Sequence, residues 1–123
     1  MTKPKWAISS FSSDLHYREN FSCGQPALDT YIQQLASQDI KRKVARVFVA
    51  CEPEGNEVKG YYTLSAASFK KEDLPAEIAK KLPHYPVPAA ILGRLAVDQS
   101  SHGQGLGKFL LMDCVSRWWP SVR

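Results

Sequence analysis

The chain has 123 residues, 44% of them hydrophobic and 23% charged, with a net charge of +4. That length holds one domain, residues 1–123, and leaves no room for a second, while the composition is that of an ordinary globular protein. No apolar run is long enough to span a bilayer, and Met1-Thr2-Lys3-Pro4-Lys5 is not followed by a secretory apolar segment, so the expected setting is cytoplasmic, with no membrane partner.

Cys23, Cys51 and Cys114 are odd in number and far apart, which predicts neither a disulfide framework nor a metal site. The positive charge permits an acidic partner without demanding one.

In chain order, Trp6 and Ile8 predict a first edge strand near Lys5 to Ser9. Pro26 suits the first turn of a helix, and Leu28, Tyr31, Ile32 and Leu35 follow at i, i+3, i+4 and i+7 as one apolar stripe. Beyond it, Lys41, Arg42, Lys43 and Arg46 stand without an acid among them. On charge alone they read first as a solvated helix end, with a phosphate-tracking patch for RNA as the second reading.

Arg46 to Cys51 is rich in strand formers, Glu52 to Asn56 is a turn, and Val58 to Ser65 is the hairpin partner. Tyr61 and Tyr62 are adjacent on that strand and face opposite sides, as core or rim residues. Leu74, Ile78 and Leu82 predict a helix over Lys71 to Leu82, ended by the proline-rich loop Pro83 to Pro88. His84 in that loop has no acid partner in view and reads as a surface residue.

The stretch Ile91 to Lys108 carries most of the chemistry. An apolar run, Ala89 to Val97, is interrupted only by Gly93 and Arg94, then gives way to a polar turn and to Gly103, Gly105 and Gly107. This is a strand, a tight loop and the start of a helix. Unpaired amides and the helix dipole at such a place favour an anion such as a phosphate or pyrophosphate. The spacing excludes a P-loop, since His102 stands where the first Gly belongs and Phe109 follows Lys108. It also excludes the dinucleotide fingerprint, whose third Gly would fall on Lys108. In the last helix Leu110, Leu111, Met112, Cys114, Val115, Trp118 and Trp119 cover about half the circumference, more than one buried stripe requires.

The loop His102-Gly103-Gln104-Gly105-Leu106-Gly107 resembles the acyl-CoA loop of the GNAT N-acetyltransferases, which reads Arg or Gln, two residues, Gly, one residue, then Gly or Ala. Its context, Gly93-Arg94-Leu95-Ala96-Val97-Asp98, is similar to that of the tRNA-acetylating toxins of bacterial toxin–antitoxin systems. So are Phe21-Ser22-Cys23-Gly24 with Leu28-Asp29, and Gly60-Tyr61-Tyr62-Thr63-Leu64. The resemblance spans nearly the whole chain but about the first two-thirds of the family's domain. It implies an α/β GNAT-like fold, a mixed and mainly antiparallel sheet flanked by helices, without the family's C-terminal strands.

The resemblance also implies acetyl-CoA as acetyl donor. Its pantetheine arm would pair with Leu95, Ala96 and Val97, and its pyrophosphate would lie on the amides from Gly103 through Gln104, Gly105, Leu106 and Gly107 to Lys108. His102 replaces the family's Arg or Gln. The implied acceptor is the α-amino group of an aminoacyl-tRNA met by Lys41, Arg42, Lys43 and Arg46, and the implied partners are a ribbon-helix-helix antitoxin and a second copy of the chain. The family's acidic Tyr falls beyond Arg123, so no catalytic residue is named. Two alternatives stand beside this reading: an inactive GNAT remnant acting through binding or dimerisation, and a GNAT enzyme for a small-molecule amine.

Overall fold

The computed structural model describes residues 5–70, 72, 74–81 and 87–118. Its centre is an antiparallel sheet in the order β1 (Ala7–Ser10), β2 (Arg46–Cys51), β3 (Gly60–Phe69), β4 (Val87–Val97). The first strand is an edge strand as expected, beginning at Ala7 rather than Lys5.

Val47 to Cys51 are all buried because both faces of β2 are covered. On one face Val47, Val49, Cys51, Tyr61 and Ala96 pack against Phe11, Phe21, Tyr31, Ile32 and Ala36. On the other, Phe48, Ala50, Tyr62 and Leu64 pack against Trp6, Leu106, Leu110 and Cys114. Tyr61 and Tyr62 therefore anchor opposite layers, the alternation that a pleated strand imposes.

The first helical region is α1 (Pro26–Thr30), a π-helical segment (Tyr31–Leu35) and α2 (Ala36–Lys41). Its buried stripe differs from the expected one at a single position, since Leu35 is 45% exposed while Ala36 is buried. The π segment inserts one residue into the helical repeat, so the inward face passes from Ile32 to Ala36 and on to the partly buried Ile40.

Two expectations need correction. Among the described residues, the α-helix predicted over Lys71 to Leu82 is confined to α3 (Ala76–Ala79): Pro75 is extended, at φ −54° and ψ 143°, and Ile78 is exposed. Proline at the helix entrance excludes the residues before it. In addition, Val87 and Pro88 belong to β4 rather than to the proline-rich loop, and β3 runs on to Phe69 to pair with it. Leu82, His84 and Trp119 lie outside the described residues. Among those described, no helix is long and apolar enough to cross a membrane.

α4 (Leu106–Trp118) buries Leu106, Leu110 and Cys114 along one stripe. Leu111, Met112 and Val115 are exposed, so the broad apolar arc is covered on one side only among the described residues.

Burial, reinforced by the hydrogen bond to Asp39, pushes the Tyr31 phenol up to about 12. Burial raises Tyr61 and Tyr62 as well, the latter also through its bond to Asp113. Folded values above the ordinary value of 10 mean that the fold favours neutral phenols. The associated stability is complete below about pH 10 and is lost as pH rises through the folded values. The melting temperature is expected to fall above that pH, with phenolate absorbance at these positions appearing only as the chain unfolds. Free titration in the folded protein would contradict this.

Candidate functional site

β4 leads into a 3₁₀ turn, Gln99–Ser101, then a glycine loop, then α4. Gly103 and Gly105 adopt φ values of +76° and +87°, a left-handed backbone that side chains rarely accept. No heavy atom lies within 4 Å of a Cβ built at either, so conformation rather than crowding demands glycine there. Gly107 differs: its backbone is ordinary, and a Cβ would meet Val97 Cγ2 at 3.9 Å and Leu95 Cδ2 at 4.0 Å, normal contact distances. Nothing in the folding of α4 forbids a side chain at 107.

Phe109 N–H is the first to close back, donating to Gly105 O at 3.0 Å, and the amides of Gly103 through Lys108 have no acceptor among the described residues. Six unpaired donors at the start of a 13-residue helix form a preformed anion cradle. Lys108 is exposed beside them, whereas the Leu106 side chain is buried in the core, so Leu106 offers only its backbone. Gln104 Nε2 donates to Ser100 O at 3.3 Å.

His102 is exposed, with Nε2 2.8 Å from Val97 O. A carbonyl can only accept, so Nε2 donates and the ring orientation is set. Leu95 and Val97 pack toward α4 and Ala96 toward the opposite layer. β4 is paired on one side only among the described residues, which leaves its other edge beside the glycine loop.

Asp98 ties this loop to the chain's beginning. Its carboxylate accepts from Ser22 N at 2.8 Å and from Ser100 N at 3.0 Å, while Gln99 N donates to Ser22 O at 2.8 Å. Partial burial pushes the Asp98 carboxyl up, but the bonds from Ser100 and Ser22 outweigh it and hold it below the usual range. Gly24, at φ +97°, lies against the same turn, with Gln99 Nε2 3.3 Å from where its Cβ would be. Two stretches separated by 76 residues thus brace one another.

The sheet register places an irregularity farther along β4. Thr63 pairs with Arg94 and Leu64 with Leu92, leaving Gly93 as the extra residue of a bulge. The Arg94 guanidinium lies 3.7 Å over the Tyr31 ring, at the start of the π-helical segment. Neither Thr63 nor Tyr31 stands out in the sequence as a site residue. Gly93 inside an apolar strand is the one signal that points there.

Lys41 closes α2, Arg42 caps it, and Lys43 turns the chain with a left-handed φ of 58°, all three exposed. Arg46 opens β2, with its guanidinium 4.9 Å over the Phe48 ring. Arg46 pairs with Leu64, so the basic stretch stands at the level of the Gly93 bulge. The glycine loop is at the far end of the Gly60–Leu64 segment, about 13 Å away along the strand. Burial raises the Cys23, Cys51 and Cys114 thiols, so none is an activated nucleophile.

No family model matches the chain. It is 37% identical over 105 residues to the tRNA-acetylating toxin of Mycobacterium tuberculosis, matching 85% of this chain and 61% of that protein. It is 32% identical over 114 residues to the probable toxin TacT of Sinorhizobium fredii, matching 92% of this chain and 63% of that one. Among solved structures, AtaT complexed with acetyl-methionyl-tRNAfMet superposes with a TM-score of 0.82 at 28% identity, over 94% of this chain and 70% of that one. An AtaT variant bound to the C-terminus of the antitoxin AtaR and acetyl-CoA gives 0.78 at 26%, over 96% and 68%. The chain belongs to the GNAT-fold toxin family. It spans less than two-thirds of the length of those two curated relatives.

Proposed function

We propose that this chain binds acetyl-CoA along the free edge of β4 and serves acetyl transfer to the α-amino group of an aminoacyl-tRNA. The observation that carries the reading is the row of amides from Gly103 to Lys108, unpaired among the described residues, which starts at the left-handed Gly103 and Gly105 and runs into a helix. Those donors would hold the pyrophosphate, with Lys108 adding charge, and the outward backbone of Leu95 to Val97 would align the pantetheine arm. The residues present fit the ligand: the Gly107 position is free of side chain although folding does not require it to be.

The bound thioester supplies an activated acetyl group. The chain's own contribution is positioning and exclusion of water. An aminoacyl α-amine with a pKa of about 8 is partly neutral at pH 7 and needs no strong base. With every described thiol raised by burial, direct attack by the amine fits better than a cysteine relay. Lys41, Arg42, Lys43 and Arg46 would track the RNA phosphates at the level where β4 bulges, and an antitoxin of the ribbon-helix-helix type would restrain the whole protein.

Calorimetric titration of acetyl-CoA into the chain tests the reading, with binding expected in the micromolar range. A folded chain that takes up no acetyl-CoA would overturn it. Acetylation of charged tRNA but not of free amines by the whole protein would confirm the acceptor, and the reverse preference would refute it.

A further inference from the structure

The amides after β4 divide into two sets. Those of Gln99, Ser100, Ser101 and His102 are all taken, by Ser22 O, Asp98 Oδ2, Asp98 O and Gln99 O, and the unpaired row begins only at Gly103. Asp98 stands just before that boundary and joins three segments. Its N–H donates to Lys59 O at 2.8 Å, at the entrance to β3. Its Oδ1 accepts from Ser22 N, and its Oδ2 accepts from both Ser100 N and Ser100 Oγ.

Ser22 is a fixed anchor for this grip. Phe21 is 3% exposed and meets the Tyr61 ring edge-on at 5.5 Å, Cys23 N donates to Asp29 Oδ1 at 2.8 Å, and the Tyr61 hydroxyl donates to Leu28 O at 2.7 Å. The glycine loop has no comparable seating. Between the buried Ser101 and Leu106, residues 102–105 are exposed and take their course from those two ends.

We propose that Asp98 is a positioning residue for the anion site: through Ser22 and Ser100 it latches the turn Gln99–Ser101 to the segment before α1 and so holds the amides from Gly103 onward in one array. The proposal rests on the acetyl-CoA reading. Charge alone would act with the opposite sign, since a carboxylate near an anion site repels the anion and its removal would tighten binding. Loss of the latch instead loosens the donors and weakens binding, because a site is only as precise as the residues that support it.

The test titrates CoA and inorganic pyrophosphate into the full chain and its variants, well below their melting temperatures. Asp98→Asn, which removes the charge and leaves one acceptor oxygen of two, is expected to bind both ligands about five- to tenfold more weakly. Ser100→Ala, which keeps the charge and the backbone bonds, is expected to lose about two- to threefold. Coupling is reciprocal, so saturating CoA is expected to slow hydrogen exchange of the wild-type Ser22 amide by about the factor lost in Asp98→Asn. The Lys43 amide, bonded to Ile40 O in the turn after α2, is expected to exchange as before. The exchange measurement decides the matter even if Asp98→Asn does not fold. Unchanged or tighter binding by folded Asp98→Asn, Ser22 exchange that CoA does not slow, or equal slowing at Ser22 and Lys43 would overturn the latch. A folded wild-type chain binding neither ligand would overturn the acetyl-CoA reading itself, and the latch with it.

Discussion

Gly107→Glu is expected to lower acetyl-CoA affinity about a hundredfold while leaving thermal stability equal to wild type or slightly higher. The two effects have separate causes. A Cβ at 107 meets Val97 and Leu95 at ordinary contact distances, so the fold accommodates it. Replacing Gly near the start of α4 gains roughly 0.5–1 kcal/mol of helix propensity, and an acid in the first turn adds about 0.3–1 kcal/mol against the dipole. The same carboxylate would stand among the amides assigned to the pyrophosphate. Like charges about 4 Å apart near a protein surface repel by up to ~4 kcal/mol, which is a hundredfold or more in affinity. Melting and titration of one sample decide the matter. Unchanged affinity would move the anion site away from the glycine loop. Gly107→Ala, with the volume but not the charge, separates crowding from repulsion.

Gly60→Ala is expected to destabilise the chain by about 1–3 kcal/mol, although alanine ordinarily improves a strand interior over glycine. Gly60 opens β3 beneath α4, and its Cβ would lie 3.0 Å from Leu110 Cδ1, 3.1 Å from Leu106 Cδ2 and 3.1 Å from Ala96 O. The carbonyl belongs to β4 and cannot rotate away, so that contact is relieved only by a shift of β4 against β3, and the contacts with Leu106 and Leu110 by side-chain repacking or a lift of the start of α4. That lift would also disturb the amides after Gly103, and the variant should lose acetyl-CoA affinity along with stability. Denaturant unfolding and titration together check this. A variant as stable as wild type would show that α4 is less tightly seated than its contacts with Gly60 indicate.

Much of this architecture is legible in the chain because its signals are local. The run Ala89 to Val97 followed by alternate glycines reads as strand, loop and helix, and the structure builds them in that order. The hairpin from Arg46 to Ser65 reads from strand formers around a turn, and Tyr61 and Tyr62 divide between the layers as alternation requires. The same stretches, together with Phe21 to Asp29, carry the family resemblance that the comparisons support.

Other features are properties of pairing rather than of any one segment. The π-helical turn displaces Leu35 outward because Tyr31, Ile32 and Ala36 fit the sheet better than a regular repeat would, and only the facing strands supply that preference. The late start of the predicted third helix is local in origin, at Pro75, yet the apolar spacing of Leu74, Ile78 and Leu82 masks it.

Sequence alone determined the glycine loop, its attachment to a strand and a helix, and the basic residues from Lys41 to Arg46, since short-range sterics and charge suffice for each. Tertiary structure alone decided that Ser22 and Asp98 meet, that Gly93 is the unpaired residue of a bulge, and that the Thr63 hydroxyl near it is buried with no partner among the described residues. Those facts depend on the register between β3 and β4 and on the layer packed over it. Register is a choice among whole-strand alignments, settled by summed packing across the sheet rather than by any residue's own preference.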